Sequence, residues 1–327
     1  MKAFAYINPT NEKEAVAALS PQLEQAMPIG GGQDLLVRMK DYVTQPDRLV
    51  NVKGALESKV TPANGGLRIG AAMKMVDLAE HAEVTRMYPA ISAAAIEVGT
   101  PQIRNQATVG GNLNQRPRCW YFRNEEFVCL KKGGNTCFSI TGENQFHAIL
   151  GGGPSYIVHP SSLAVPMLAY GATFRLAGPK GERLVAASDY FTLPAKNVRT
   201  ENVLAPDELL THVILPPPGD VKSGHYEVRY KASHDWPIAF ATVLLSMSSS
   251  TVKNARVVMG AVAPVPWRSH PAEDALAGKA VTEATAAAAA DAALQDARPL
   301  KQNAYKVQVA KVAVKRAILR AAGLEVG

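Results

Sequence analysis

Pro28-Ile29-Gly30-Gly31-Gly32-Gln33-Asp34-Leu35-Leu36 is the stretch from which the fold is read. A short apolar segment enters three glycines and leaves them in an apolar helical turn, a layout that lets backbone amides approach an anion with no Cβ in the way. Alone, a triple glycine is more often a plain turn. A second stretch, Arg104-Asn105-Gln106-Ala107-Thr108-Val109-Gly110-Gly111-Asn112, again sets glycines among hydroxyl and amide side chains able to reach phosphate and polyol oxygens. Two such stretches in one chain favour a nucleotide ligand. Neither has the G-x-G-x-x-G spacing of the dinucleotide fingerprint, and no G-x-x-x-x-G-K-[ST] loop is present, so Rossmann and nucleoside-triphosphatase readings lose their main support.

Working outward, Ala3 to Ile7 reads as a strand, Asn11 as a cap before the helical pattern Ala15, Val16, Leu19, and Leu49-Val50-Asn51-Val52 as a further strand. These give a βαβ-like unit over about residues 1–55. Leu67 to Ala71, Tyr156 to Val158, Ala172 to Leu176 and His212 to Leu215 read as strands, with helices at Met75 to Ala79 and Tyr88 to Val98. Pro216-Pro217-Pro218-Gly219 breaks every regular element and marks a boundary, so the expected units are 1–55, 56–218 and 219–327. In the last unit Tyr226 to Tyr230, Phe240 to Met247 and Ala255 to Val262 suit an antiparallel sheet, followed by alanine-rich helices over 272–322. The run Ala284 to Ala290 is expected to pack as a close-contact helix, and Lys311, Lys315 and Arg316 to form a solvated face.

With 327 residues, 47% hydrophobic and 19% charged, the chain is long enough for two or three packed domains. Its net charge of +7 is spread along the sequence without a basic run interleaved with aromatics, which argues against nucleic acid as a partner. Met1 to Pro9 lacks the basic and apolar regions of a secretory signal, and no run of about 18 apolar residues could cross a bilayer, so no membrane is expected. The expected compartment is the cytoplasm, or the periplasm if a signal-bearing partner exports the complex. His147, His159, His225 and His234 show no metal-ligand spacing, and no G-x-S-x-G elbow exists, so hydrolytic chemistry is unsupported.

Taken with Gly260-Ala261-Val262-Ala263-Pro264 and Trp267-Arg268, the two glycine stretches closely resemble the FAD-binding subunit of the xanthine dehydrogenase and carbon monoxide dehydrogenase family, in order and spacing over essentially the whole chain. The resemblance implies an α+β fold: a two-subdomain FAD domain of the vanillyl-alcohol-oxidase type and a smaller α+β domain with an antiparallel sheet and helices. It implies an electron relay, with substrate oxidised on a molybdenum-cofactor large subunit and electrons arriving from the two-iron two-sulfur clusters of a small subunit. Carried over by position, Ile29, Gly30, Gly31, Gly32, Gln33, Asp34 and Leu35 would wrap the pyrophosphate. Val98, Gly99, Thr108, Gly110, Gly111, Asn112 and Gln115 would contact the flavin and its ribityl chain, and Arg229 and Lys231 would place a cation near the flavin edge. In His159-Pro160-Ser161-Ser162, Ser162 stands where relatives commonly carry an aspartate; it brings a hydrogen bond but no charge. Asp235 and Trp236 could shape access to the flavin, with a surface aspartate and a packed tryptophan as the plainer reading.

The three cysteines, Cys119, Cys129 and Cys137, lie in the segment 115–155 and are too few for a disulfide framework. This segment resembles the insertion that carries a four-iron four-sulfur cluster in aldehyde oxidoreductases of the family, with Ser155 at the fourth ligand position. Serine is a harder ligand than thiolate, so a weakened cluster and three buried thiols without metal stand as equal expectations; gaps of this length lack the C-x-x-C pairs of structural zinc. Aldehyde oxidation by the assembled complex is the expected activity. A self-contained FAD oxidase of the vanillyl-alcohol-oxidase type and an FAD-free scaffold subunit are the alternatives.

Overall fold

The computed structural model describes residues 1–231 and 234–326. Strands β1 (Ala5–Ile7), β2 (Ala26–Ile29) and β3 (Arg48–Asn51) form a parallel sheet in the order β1-β3-β2, with α1 (Glu12–Ala17) and α2 (Leu35–Lys40) as the crossovers that parallel pairing demands. The Asn11 side chain caps α1 by accepting from the Glu14 amide at 2.9 Å.

A second sheet, antiparallel throughout, holds β4 (Val60–Ala63), β5 (Gly66–Gly70), β6 (Thr173–Gly178), β7 (Gly181–Ala186) and β8 (Leu209–Leu215) in the order β4-β5-β8-β6-β7. Its apolar side chains, among them Ile69, Phe174 and Val213, share one core with Leu78, Val84, Ile91 and Val165 from α3 (Met75–Glu80), α4 (Ala82–Met87), α5 (Pro89–Ile96) and α9 (Ala164–Ala169). The single turns α6 (Pro101–Arg104), α7 (Val109–Leu113), α8 (Trp120–Arg123) and α10 (Ala187–Tyr190) lie between these elements. β4 and β7 escape the sequence reading because they are the two edges of this sheet: β7 is almost wholly exposed and β4 carries Pro62, so neither shows hydrophobic alternation.

The third sheet, β9 (Lys222–Arg229), β10 (Pro237–Ser248), β11 (Thr251–Gly260) and β12 (Trp267–Arg268), is antiparallel in the order β12-β11-β10-β9. Helices α11 (His270–Leu276), α12 (Glu283–Ala293) and α13 (Tyr305–Ala321) complete its core. Gly224 admits α13 to the sheet, since a Cβ there would lie 2.2 Å from the Ala317 carbonyl oxygen. The alanine run forms α12 as expected, burying Ala286, Ala289, Ala290 and Ala293.

Three expectations need correction. Tyr156 to Val158 is not a strand; the segment makes single hydrogen bonds at its ends, Ala148 N to Tyr156 O and His159 N to Ala263 O, without a ladder. The second glycine stretch is not a loop but closes into α7, capped by Thr108. Lys311, Lys315 and Arg316 are not merely solvated: the two lysines pair with Asp291 and Glu283 of α12, and Arg316 reaches the Tyr226 hydroxyl on β9. Among the described residues no helix is long and apolar enough to cross a membrane.

Candidate functional site

The β2–α2 loop, the start of α7 and residues 200–210 and 234–237 enclose a cleft of ≈ 520 Å³, a size suited to a small-molecule ligand. The two glycine stretches meet at its floor: a Cβ on Gly31 would lie 2.1 Å from the Gln106 carbonyl oxygen, and one on Gly30 would lie 2.6 Å from Thr108 Oγ1. Side chains there would drive the loops apart. Beyond the contact the stretches differ. Among the described residues the backbone amides of residues 31–35 have no protein acceptor, leaving a row of donors at the cleft. The amides of Val109, Gly110, Gly111 and Asn112 are already bonded to Met73 O, Ala71 O, Thr108 Oγ1 and Thr108 O.

Behind the first loop sits a charge cluster. Asp34 Oδ1 pairs with Arg118 at 2.9 Å and Arg123 at 2.5 Å, and its other oxygen with Arg38 at 3.4 Å. Glu24 joins Arg38 to Arg116, and Glu201 holds Arg116 at 2.5 Å and Lys131 at 2.6 Å. Four guanidiniums and one ammonium thus face three carboxylates, an excess of two positive charges. Burial would raise the Asp34 carboxyl, but Arg118, Arg123 and Arg38 outweigh it and hold the group below the usual carboxylate range. Burial lowers Arg38 and Arg118 to about 10, where both stay charged at neutral pH. Glu201 is likewise held low against its burial by Arg116 and Lys131.

Fifteen expected cofactor residues line the cleft: Ile29 to Leu35, Val98, Gly99, Thr108, Gly110, Gly111, Asn112, Gln115 and Ser162. Asn112 Oδ1 accepts from Ser161 Oγ at 2.6 Å, and Gln115 donates to Pro160 O at 3.3 Å while accepting from Arg118 at 3.0 Å, so these amides brace the wall. The Asp34 carboxylate binds arginines and leaves contact with an anion to the loop's backbone. Arg229 and Lys231 are not brought to the cleft. Arg229 is neutralised by Glu227 at 2.6 Å and Glu97 at 2.8 Å, and Lys231 is exposed. The cation at that end is Arg118, which lies 4.6 Å over the Trp236 ring. Trp236 is therefore no packed core residue but 53% exposed, lining the cleft with Asp235.

In the cysteine segment, Cys119 Sγ lies 3.2 Å from His147 Nε2, Cys137 Sγ lies 3.1 Å from Ser139 Oγ, and Cys129 is buried. Ser155 is buried, its carbonyl accepting from Gly153 N. Burial pushes the Cys119 thiol up to about 11. Among the described residues no three His, Cys, Asp or Glu side chains gather as metal ligands, although Cys119 lies near enough to Cys129 and Cys137 for both to act on it electrostatically.

The cleft does fit FAD. Free amides and two surplus positive charges answer a pyrophosphate dianion, and an apolar wall from Val52 and Leu56 to Leu204 and Leu209 offers flat surface to rings. The sequence reading missed Arg38, Arg116, Arg118, Arg123, Lys131, Glu24 and Glu201. The spacing Arg116-Pro117-Arg118 with Arg123 just beyond the second glycine stretch is the local basic cluster that could have revealed them.

Residues 2–218 match the family described as the FAD binding domain in molybdopterin dehydrogenase, and residues 224–321 the CO dehydrogenase flavoprotein C-terminal domain. The chain is 36% identical over 316 residues to the aldehyde oxidoreductase FAD-binding subunit PaoB of Escherichia coli strain K12, covering 95% of this chain and 96% of that one. It is 29% identical to the carbon monoxide dehydrogenase medium chain of Hydrogenophaga pseudoflava, covering 96% of each. Among solved structures, the carbon monoxide dehydrogenase of Hydrogenophaga pseudoflava lacking the Mo-pyranopterin moiety of its cofactor superposes with a TM-score of 0.76 at 27% identity, over 98% of both chains.

Proposed function

This chain belongs to the family of FAD-binding domains in molybdopterin dehydrogenases, and on that premise we propose that it is the FAD-binding electron-transfer subunit of a three-subunit molybdenum hydroxylase acting on aldehydes. A large subunit with the molybdenum cofactor oxidises the substrate, and a small subunit with two-iron two-sulfur clusters delivers the electrons. The aldehyde assignment follows the relative with 36% identity.

The observation that carries the reading is the first glycine loop: unbonded amides at residues 31–35 backed by two surplus positive charges. Bound FAD would supply a carrier that takes electrons from one partner and hands them to another. The chain's own residues do the rest. The loop amides hold the pyrophosphate with the charge cluster behind them, and the Ser162 hydroxyl offers the uncharged hydrogen bond available at its position. Gln115 ties Arg118 to the Pro160 turn, and the stacked Arg118 and Trp236 screen one end of the cleft from water. No general acid or base is required of this chain.

We read the cysteine segment as a packed insert. Its support is the partners that two thiols find in His147 and Ser139 and the aromatic contacts of Tyr121, Phe127 and Phe138, whose centroids lie 5.1 to 5.9 Å apart. The test is an absorption spectrum of the purified full chain with acid-released flavin and iron counted together. One FAD per chain and no iron is expected. No FAD would overturn the relay and favour a scaffold; iron near four per chain would overturn the insert and put a cluster on Cys119, Cys129, Cys137 and Ser155.

A further inference from the structure

Arg104 opens the second glycine stretch but does not line the cleft. Its place is behind the wall. Past the last turn of α5 the chain runs through Glu97, Val98, Gly99 and Thr100, all four of which line the cleft, and enters α6, whose last residue is Arg104. Gly99 turns the chain in the left-handed region, at φ +52°, and Thr100 caps α6 by accepting from the Ile103 amide at 3.3 Å. The half-buried Arg104 guanidinium is thereby carried back against the segment that precedes its own helix. One of its nitrogens donates to both Val98 O and Gly99 O, each at 3.1 Å.

The preceding carbonyl is held in the same way from the C-terminal unit, where Arg229 donates to Glu97 O at 2.8 Å. The two guanidiniums differ in their charge balance: Arg229 is paired with Glu97 and Glu227, whereas among the described residues Arg104 meets no carboxylate. Pinning the two oxygens also decides what the far edge of each peptide does. The 98–99 and 99–100 peptides are trans, so the N–H groups of Gly99 and Thr100 point opposite to the oxygens that Arg104 holds. Arg104 stands outside the lining, and the side away from it is the cleft. Among the described residues neither amide has a protein acceptor. Two adjacent donors, fixed from behind by a cation without a counter-charge, suit an acceptor on which negative charge grows.

We infer that Arg104 is a positioning residue: by pinning the Val98 and Gly99 carbonyls it aims the Gly99 and Thr100 amides at the flavin ring, where they stabilise the negative charge that reduction adds. The inference rests on the flavin reading and deepens it, naming a residue that sets how readily the ring is reduced. Donors placed in this way favour the reduced ring over the oxidised one, so their loss is read in the potential.

An anaerobic redox titration of the purified, FAD-loaded full chain against a reporter dye tests this. Arg104→Met keeps an apolar stem and removes the donor; it is expected to weaken the hold on reduced FAD about tenfold more than the hold on oxidised FAD, a fall of roughly 30 mV in the two-electron potential. Arg104→Lys, which restores a charged donor, is expected to bring that ratio back to within about threefold of wild type, roughly 15 mV. A residue that merely packed the turn would cost stability and leave both potentials at the wild-type value; that outcome overturns the inference, as does an equal fall in the two variants. Amide hydrogen exchange needs no variant and decides alone if Arg104→Met does not fold. Adding FAD to the flavin-free wild-type chain is expected to slow exchange at Gly99 and Thr100 about tenfold or more, and no slowing there overturns the inference. In each of these arms FAD is bound, so the flavin reading stands whichever way they fall. A wild-type chain that takes up no FAD sinks that reading itself, and the inference with it.

Discussion

The two glycine stretches look alike on paper and are built for different work. Residues 31–35 keep their amides free, face a cluster with two surplus positive charges, and the loop depends on bare backbone because Gln106 and Thr108 press against Gly31 and Gly30. Residues 108–112 form the capped turn α7, with the amides of 109–112 already taken by acceptors in the turn and at Ala71 and Met73, presenting Asn112 and the loop's contact surface instead. Glycine marks anion capture in the first and close packing beneath Ala71 in the second, where a Cβ on Gly110 would meet that residue at 3.0 Å.

Gly31→Ala is expected to have the largest effect. Its Cβ would meet backbone, which cannot swing aside as a side chain can, so the loops must separate. Thermal denaturation should show a loss of about 2 kcal/mol, and FAD affinity should fall roughly 100-fold or more, about 2.7 kcal/mol. A Gly31→Ala chain that keeps its flavin would mean the loop contact does not shape the anion site.

Asp34→Asn ranks next, because it leaves three guanidiniums, the buried Arg38 and the half-buried Arg118 and Arg123, short of a counter-charge; a loss of about 3 kcal/mol is expected in chemical denaturation. The pH dependence is the finer readout. Since the folded Asp34 carboxyl is held below its unfolded value of about 4, its contribution is fully present above that value and disappears as pH falls through the folded value. The Asp34→Asn chain should therefore show a flatter acid limb than wild type; an unchanged limb would remove Asp34 as the organiser of the cluster.

What the sequence displayed follows the same division. The glycines, the apolar strands around them and the alanine helix α12 were legible because each is a local signal: chain entry, periodicity, composition. The arginine cluster was not, because Asp34 meets Arg123 across 89 residues of chain and Lys131 meets Glu201 across a similar gap, and such pairing leaves no periodic trace. Arg229 illustrates the converse. Its position near the expected flavin edge was readable, but its neutralisation by Glu227 and Glu97 depends on how β9 pairs and where α5 ends. Arg118→Gln tests which cation serves the cleft: about tenfold weaker FAD binding is expected, roughly 1.4 kcal/mol, with the deficit shrinking in high salt. Arg229→Gln should leave FAD affinity within about twofold, and the reverse ranking would restore the sequence-based assignment.

Gly111→Ala should have the smallest effect of the glycine substitutions, and the contrast between the two stretches stands or falls on it. A Cβ there would meet only Thr108 Oγ1, at 3.0 Å, the atom that accepts the residue's own amide. Against that contact stands the better helix propensity of alanine, worth up to about 1 kcal/mol inside a helix. The two nearly cancel, so stability should stay within about 0.5 kcal/mol and FAD affinity within about threefold. A loss as large as that of Gly31→Ala would show that the ligand also lies directly on the backbone of α7. The second stretch would then be a binding surface in its own right, and its internally bonded amides would be no guide to which glycines touch the cofactor.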